Sequence, residues 1–197
     1  MKLRLPLFLR APVRPGWRRL AGAAALGGVT ALGQAPFDLW YLALPALSVI
    51  LALCARSHAG WTGFAAGFGY ALVAMFWIVE PFMVEARVYG WMAPFALILM
   101  AAGMGAFWAL GSGMGRRLGG IGGIAVGLAA MDALRSYAFT GFPWVLFGHI
   151  WIDTPVAQAA AWIGPIGLSL MTLLLAALPW LWRQRGAGTV LAVWPWR

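Results

Sequence analysis

DALRSYAFTGFPWVLFGHIWID, residues Asp132 to Asp153, is the stretch on which the reading of this chain turns. It begins as the polar outer end of an apolar helix, passes through a Gly141-Phe142-Pro143-Trp144 turn and leads, rich in aromatics, into the next apolar run. Two acids, an arginine and a histidine gather here in a chain with very few other charges. Ionisable groups at the edge of a membrane segment are costly to hold and usually have a structural or functional partner.

Working outward, the same pattern of apolar run and polar gap repeats over the whole chain. Only 10% of the residues are charged and 63% are hydrophobic, too apolar for a soluble domain to bury. Several of the runs are long enough to cross a bilayer as helices, and none alternates as a barrel strand would. The fold class expected is an all-α polytopic membrane protein with six transmembrane helices and a partial seventh, and no soluble domain. Residues 1–19 form a basic cytoplasmic N-terminus, residues 20–186 the six-helix domain and residues 187–197 the start of the seventh helix. A cleaved signal ending at Ala31-Leu32-Gly33 is the alternative for the first run. The expected helices cover Leu20–Gly33, Leu39–Ala55, Gly60–Val79, Met92–Leu110, a fifth ending near Tyr137, and Pro155–Trp182. Asp38 is placed to cap the second of them. Gly111 to Gly120 reads as a gap, while Gly63 with Gly67, and the four-residue spacing of Gly119, Gly123 and Gly127, suit close helix contact.

The net charge of +9 invites a nucleic-acid reading, but the arginines cluster in short gaps and set topology instead. The basic N-terminus, Arg56, Arg116 with Arg117, and Arg183 with Arg185 mark the cytoplasmic side. The loops carrying Asp38, Glu80, Glu85, Asp132 and Asp153 then share the outer face. The single cysteine, Cys54, excludes an intrachain disulfide, and His58 and His149 lack metal-ligand spacing.

The outer loops hold the candidate site residues: Glu80, Arg135, Phe142, Pro143, Trp144 and His149. Arg135 stands three residues after Asp132, so the two can pair on one helix face; alternatively the guanidinium meets a phospholipid head group. Glu80 suits a polar interface residue or a general base. Phe142, Pro143 and Trp144 suit an aromatic belt around a rigid turn, or a mouth through which an acyl chain enters sideways. His149 lies within reach of Asp153 as an acid–base pair would, yet no serine or cysteine in the loop completes a nucleophilic set.

QAPFDLW (34–40), FWIVEPF (76–82) and LRSYAFTGFPWVLFGHIWIDTPVAQAAAWIGPIG (134–167) resemble the apolipoprotein N-acyltransferase family, in order and from about Arg18 onward. The resemblance implies an eight-helix domain in the bacterial inner membrane, carrying a periplasmic nitrilase-like domain after helix seven. It implies transfer of an acyl chain from a phospholipid donor to the N-terminal amine of a diacylglyceryl-cysteine lipoprotein, with no cofactor. The resemblance implies a thioester intermediate on a Cys nucleophile, with a Glu base and a Lys that steadies the oxyanion, all three in the nitrilase-like domain. No position here matches them: the one lysine is Lys2, and Cys54 lies at the inner end of helix two. The chain therefore reads as the membrane half of such an enzyme, parted from its catalytic domain by fragmentation, frameshift or a gene split and inactive alone. A separate nitrilase-like chain is the partner this calls for. The rival reading is a stand-alone membrane protein without catalytic activity, such as a lipid-binding scaffold or a partner subunit.

Overall fold

The computed structural model describes residues 15–138 and 141–192, with side chains as far as Arg183. Residues 1–14 of the basic N-terminus and residues 193–197 of the expected partial seventh helix lie outside the described residues. Seven α-helices carry the described chain: α1 (Trp17–Ala31), α2 (Trp40–Arg56), α3 (Ala59–Ala74), α4 (Glu80–Met83), α5 (Ala86–Tyr89), α6 (Ala93–Tyr137) and α7 (Ala160–Ala192). Short 3-10 segments at Phe76–Val79, Gly90–Met92, Phe147–Trp151 and Pro155–Ala159 join them. Two helical stretches, Ala86–Tyr137 and Pro155–Arg183, are long and apolar enough to cross a membrane. A third is added if the bent pair Ala59–Ala74 with Phe76–Met83 is one span.

Small residues bring the backbones together, as packing without a hydrophobic drive between helices requires. A methyl group on Gly27 of α1 would strike the Ala66 carbonyl of α3, and one on Gly69 would strike Ala24. On its other side α3 meets α6, where a Cβ at Gly67 would lie 2.6 Å from the Trp108 ring and one at Gly63 2.7 Å from the Trp108 carbonyl. The expected close contacts at Gly63 and Gly67 are thus present.

The long α6 is two arms folded back on each other. Gly119 and Gly120 leave helical geometry, and Gly120 takes φ +60°, a left-handed conformation that glycine adopts without strain. Gly111 then faces Gly127 and Gly115 faces Gly123 across the hairpin. This corrects the expected gap at Gly111 to Gly120. Residues 111–118 stay helical, because their glycines are the seam against the second arm, and only the final glycine pair turns the chain. Gly119 itself has nothing within 4 Å of a would-be Cβ, so of the three spaced glycines only Gly123 and Gly127 make the contact.

Three further boundaries differ. The third helix stops at Ala74 and bends by 63° into residues 76–83. Asp38 does not cap α2: the N-cap is Leu39, no side-chain cap bond forms, and Asp38 itself sits at φ +55°. The helix beginning at Ala160 continues to Ala192 without a break at the arginines. A kink at Gly164, φ +69°, precedes Pro165 near its start.

Candidate functional site

All three polar loops meet at one end of the bundle, around residues 142–151. Two side chains of α6 organise the meeting. Asp132 and Arg135 are one helical turn apart and only 2% and 4% exposed, and they pair at 2.9 Å, as their spacing led one to expect. Arg135 uses every N–H it has. Nε and one Nη2 hydrogen donate to Asp132 Oδ1 at 3.2 and 2.9 Å. Nη1 donates to the carbonyls of Phe142 and Trp144 at 2.9 and 2.6 Å, and Nη2 also donates to that of Val145 at 3.2 Å. The planar five-donor fork of a guanidinium is the side chain suited to gathering several carbonyls at once. Asp132 Oδ2 accepts the Phe147 backbone N–H at 3.1 Å. Arg135 is thereby committed inside the protein, facing peptide groups instead of the surface.

Two residues from other elements complete this cage. The Tyr70 hydroxyl, on α3, donates to the Val145 carbonyl at 2.9 Å and accepts from Gln34 Nε2 at 2.8 Å. Gln34, in the α1–α2 turn, also donates to the Leu146 carbonyl at 3.1 Å. The Tyr70 ring packs against Trp108, at 5.1 Å between centroids, and Phe147, at 6.1 Å, and those two rings meet each other at 4.9 Å. Further along, the Gly148 N–H donates to Ser169 Oγ and Trp151 Nε1 donates to Thr172 Oγ1, tying the 3-10 segment to α7. The sequence reading passed over Gln34 and Tyr70. The available signal was that each is a lone polar group among apolar and small residues, so that burial would oblige it to find a partner.

Of the other expected site residues, Trp144 is 57% exposed and its ring lies 5.7 Å from that of Trp77, joining the turn to the second loop. Pro143 is exposed beside it, and Phe142 is half-buried against the core. Glu80 opens α4 on the same second loop and is exposed. His149, half-buried in the 3-10 segment, is not paired with Asp153. The first loop joins through the Trp40 and Trp151 rings, 5.4 Å apart. Among the described residues no group of three His, Cys, Asp or Glu side chains could hold a metal ion.

Burial lowers the pKa of His149 below the usual histidine value, and the charge on Arg135 lowers it further. Below the unfolded value the unfolded chain binds the extra proton more readily, so stability falls as pH drops through about 6.5 toward the folded value. The loss of melting temperature between pH 7.5 and 5 is expected to be smaller in His149→Asn than in the parent, measured by thermal unfolding in detergent. Parallel curves would remove His149 as a source of acid sensitivity.

Residues 26–178 match the family model described as the apolipoprotein N-acyltransferase N-terminal domain. The chain is similar to the apolipoprotein N-acyltransferase of Caulobacter vibrioides, 42% identical over 142 residues, which are 68% of this chain and 27% of that protein. It is similar to that of Brucella suis, 32% identical over 183 residues, 83% of this chain and 34% of that protein. With that of Allorhizobium ampelinum it shares 32% identity over 208 aligned residues, 95% of this chain and 39% of that protein. The chain thus spans roughly a third of the length of the curated relatives it matches.

Proposed function

The chain belongs to the apolipoprotein N-acyltransferase family through its N-terminal domain, and from that premise we propose that it is the membrane portion of an enzyme passing an acyl chain from a phospholipid to the N-terminal amine of a diacylglyceryl-cysteine lipoprotein. On this reading six helical passes cross the bacterial inner membrane: α1, α2, the bent α3, the two arms of α6, and α7. At the usual helical rise α1 and α2 span only about 22 and 26 Å, so flanking residues or local thinning of the bilayer make up the difference. The N-terminus lies in the cytoplasm and the end of the bundle where the loops meet faces outward, by the arginine distribution.

One observation carries the reading: the three loops converge on a single internally hydrogen-bonded turn that presents Trp144 and Pro143 outward. Trp77 lies against that turn, Phe142 belongs to it and Glu80 stands exposed three residues after Trp77, and an acyl chain entering from the outer leaflet would pass this rim. Arg135 acts from behind it, fixing the backbone, and His149 flanks it. The catalytic Glu, Lys and Cys would come from a nitrilase-like domain, on this polypeptide or on a separate chain. Cys54 is fully buried in α2 and unsuited to act as the nucleophile. Without that domain the chain transfers nothing.

In a full-length relative, alanine at the position matching Trp144 is expected to slow acyl loading from phospholipid roughly tenfold, the loss of one aromatic contact of about 1.4 kcal/mol. The measurement is the rate of acyl-thioester formation with labelled phosphatidylethanolamine. An unchanged rate would reduce the aromatic rim to a membrane anchor.

A further inference from the structure

We propose that Gln34 and Tyr70 are positioning residues: through the backbone of 144–146 they fix where the aromatic rim stands and hence where a lipid chain meets the protein. The inference rests on the lipid-handling reading above and adds to it the side chains that set the geometry.

The turn is held in a conformation that its own sequence does not favour. Val145 has φ +49°, a left-handed backbone that a β-branched residue adopts only when its surroundings impose it. That reversal separates two kinds of residue. Before it, Pro143 and Trp144 are exposed; after it, Leu146 and Phe147 are 1% and 2% exposed. Four side chains impose it. The Val145 carbonyl is captured by Tyr70 and by Arg135, the Leu146 carbonyl by Gln34, and the Phe147 N–H by Asp132. Gln34 and Tyr70 also bond each other, so the α1–α2 turn, α3 and the end of α6 act on the same peptide groups.

Arg135 and Asp132 come from the helix that feeds the turn, and alone they would fix the turn only relative to α6. Tyr70 is the tie to α3, whose outer end bends into the segment bearing Trp77. The 5.7 Å approach of Trp77 and Trp144 therefore depends on α3 and the turn keeping register. Loss of the Tyr70 hydroxyl releases the Val145 carbonyl from α3, lets that residue relax toward the extended region and moves Trp144 off Trp77.

The test uses the purified chain in phosphatidylethanolamine vesicles containing a lipid with a photoreactive diazirine in one acyl chain, and maps labelled residues by mass spectrometry. The parent should label at 142–144 and at Trp162, which is 90% exposed and belongs to a different element, α7. Tyr70→Phe, which keeps the ring, should lower labelling at 142–144 relative to Trp162 at least threefold, with circular dichroism unchanged. Gln34→Met should do the same and stands in if the first variant folds poorly. An unchanged ratio in a folded variant overturns the positioning role and leaves the lipid-handling reading intact. A parent that labels at Trp162 but nowhere in 142–144 overturns both.

Discussion

Arg135→Met is expected to destabilise the chain by about 3–5 kcal/mol, the usual result of removing one partner of a buried ion pair. The substitution keeps a long apolar side chain in place, so little of the loss comes from packing. What it removes is every N–H that reaches Asp132 Oδ1 and the carbonyls of Phe142, Trp144 and Val145. Asp132, 2% exposed, would lose its ion-pair partner and keep only hydrogen bonds such as that from the Phe147 N–H to oppose the cost of burial. The check is a denaturation curve in detergent followed by near-ultraviolet circular dichroism, which reports the packed tryptophans. Asp132→Asn added to Arg135→Met should recover part of the loss, since an amide still accepts from Phe147 and carries no charge. Recovery should be incomplete, because the turn carbonyls stay unmatched. A single variant within 1 kcal/mol of the parent would show that water reaches this cage.

Gly115→Val should be nearly as damaging, at about 3 kcal/mol, the upper end of ordinary overpacking. The reason lies in what the new side chain meets. A Cβ at Gly115 runs into the carbonyl group of Gly123, and Gly123 into that of Gly115. Main chain cannot swing aside as a side chain can, so the two arms of α6 must separate along their length. That opens the seam at Gly111 and Gly127 as well and loosens the second arm, which bears Asp132 and Arg135. Gly22→Ala is the control: it is exposed on α1 with nothing within 4 Å, and is expected to be neutral or to stabilise by up to about 1 kcal/mol. The same detergent denaturation compares the two. A Gly115→Val chain as stable as the parent would mean that the arms do not touch there.

The parts legible in the sequence are those decided locally. Apolar runs bounded by arginines locate the helices, four-residue glycine spacing marks Gly123 and Gly127 as contact positions, and the three-residue step from Asp132 to Arg135 anticipates the ion pair. Misplaced boundaries arise where a neighbour decides. Residues 111–118 look like a linker because glycine disfavours a lone helix; the second arm, packed on those glycines, makes them helical. The bend after Ala74 has no glycine or proline at the break itself, and Phe-Trp-Ile-Val continues as apolar as the helix before it. Gln34 and Tyr70 are legible only as polar groups that need some partner, because the partners they find are distant. Nothing near either residue indicates which carbonyl it will meet. Arg135 was legible as a charge of consequence but not in its allegiance: whether a guanidinium turns to a head group or to its own backbone depends on a turn that begins six residues later.

The hydrogen bonds of the cage also impose an order on assembly. The hairpin of α6 closes between residues only 8 and 16 positions apart, Gly115 to Gly123 and Gly111 to Gly127. Contacts so close in sequence cost little loop entropy and form early. Gln34, by contrast, waits for a carbonyl 112 residues downstream, and Tyr70 for one 75 residues downstream. During synthesis, then, Gln34 and Tyr70 are made long before the carbonyls of Val145 and Leu146, and until residue 146 has left the ribosome they have only each other of these partners. Two polar side chains in a nascent bundle are a standing invitation to water or to a wrong partner. The turn at 142–146 is thus the closing piece of the folded bundle as well as the seat of the exposed Pro143 and Trp144.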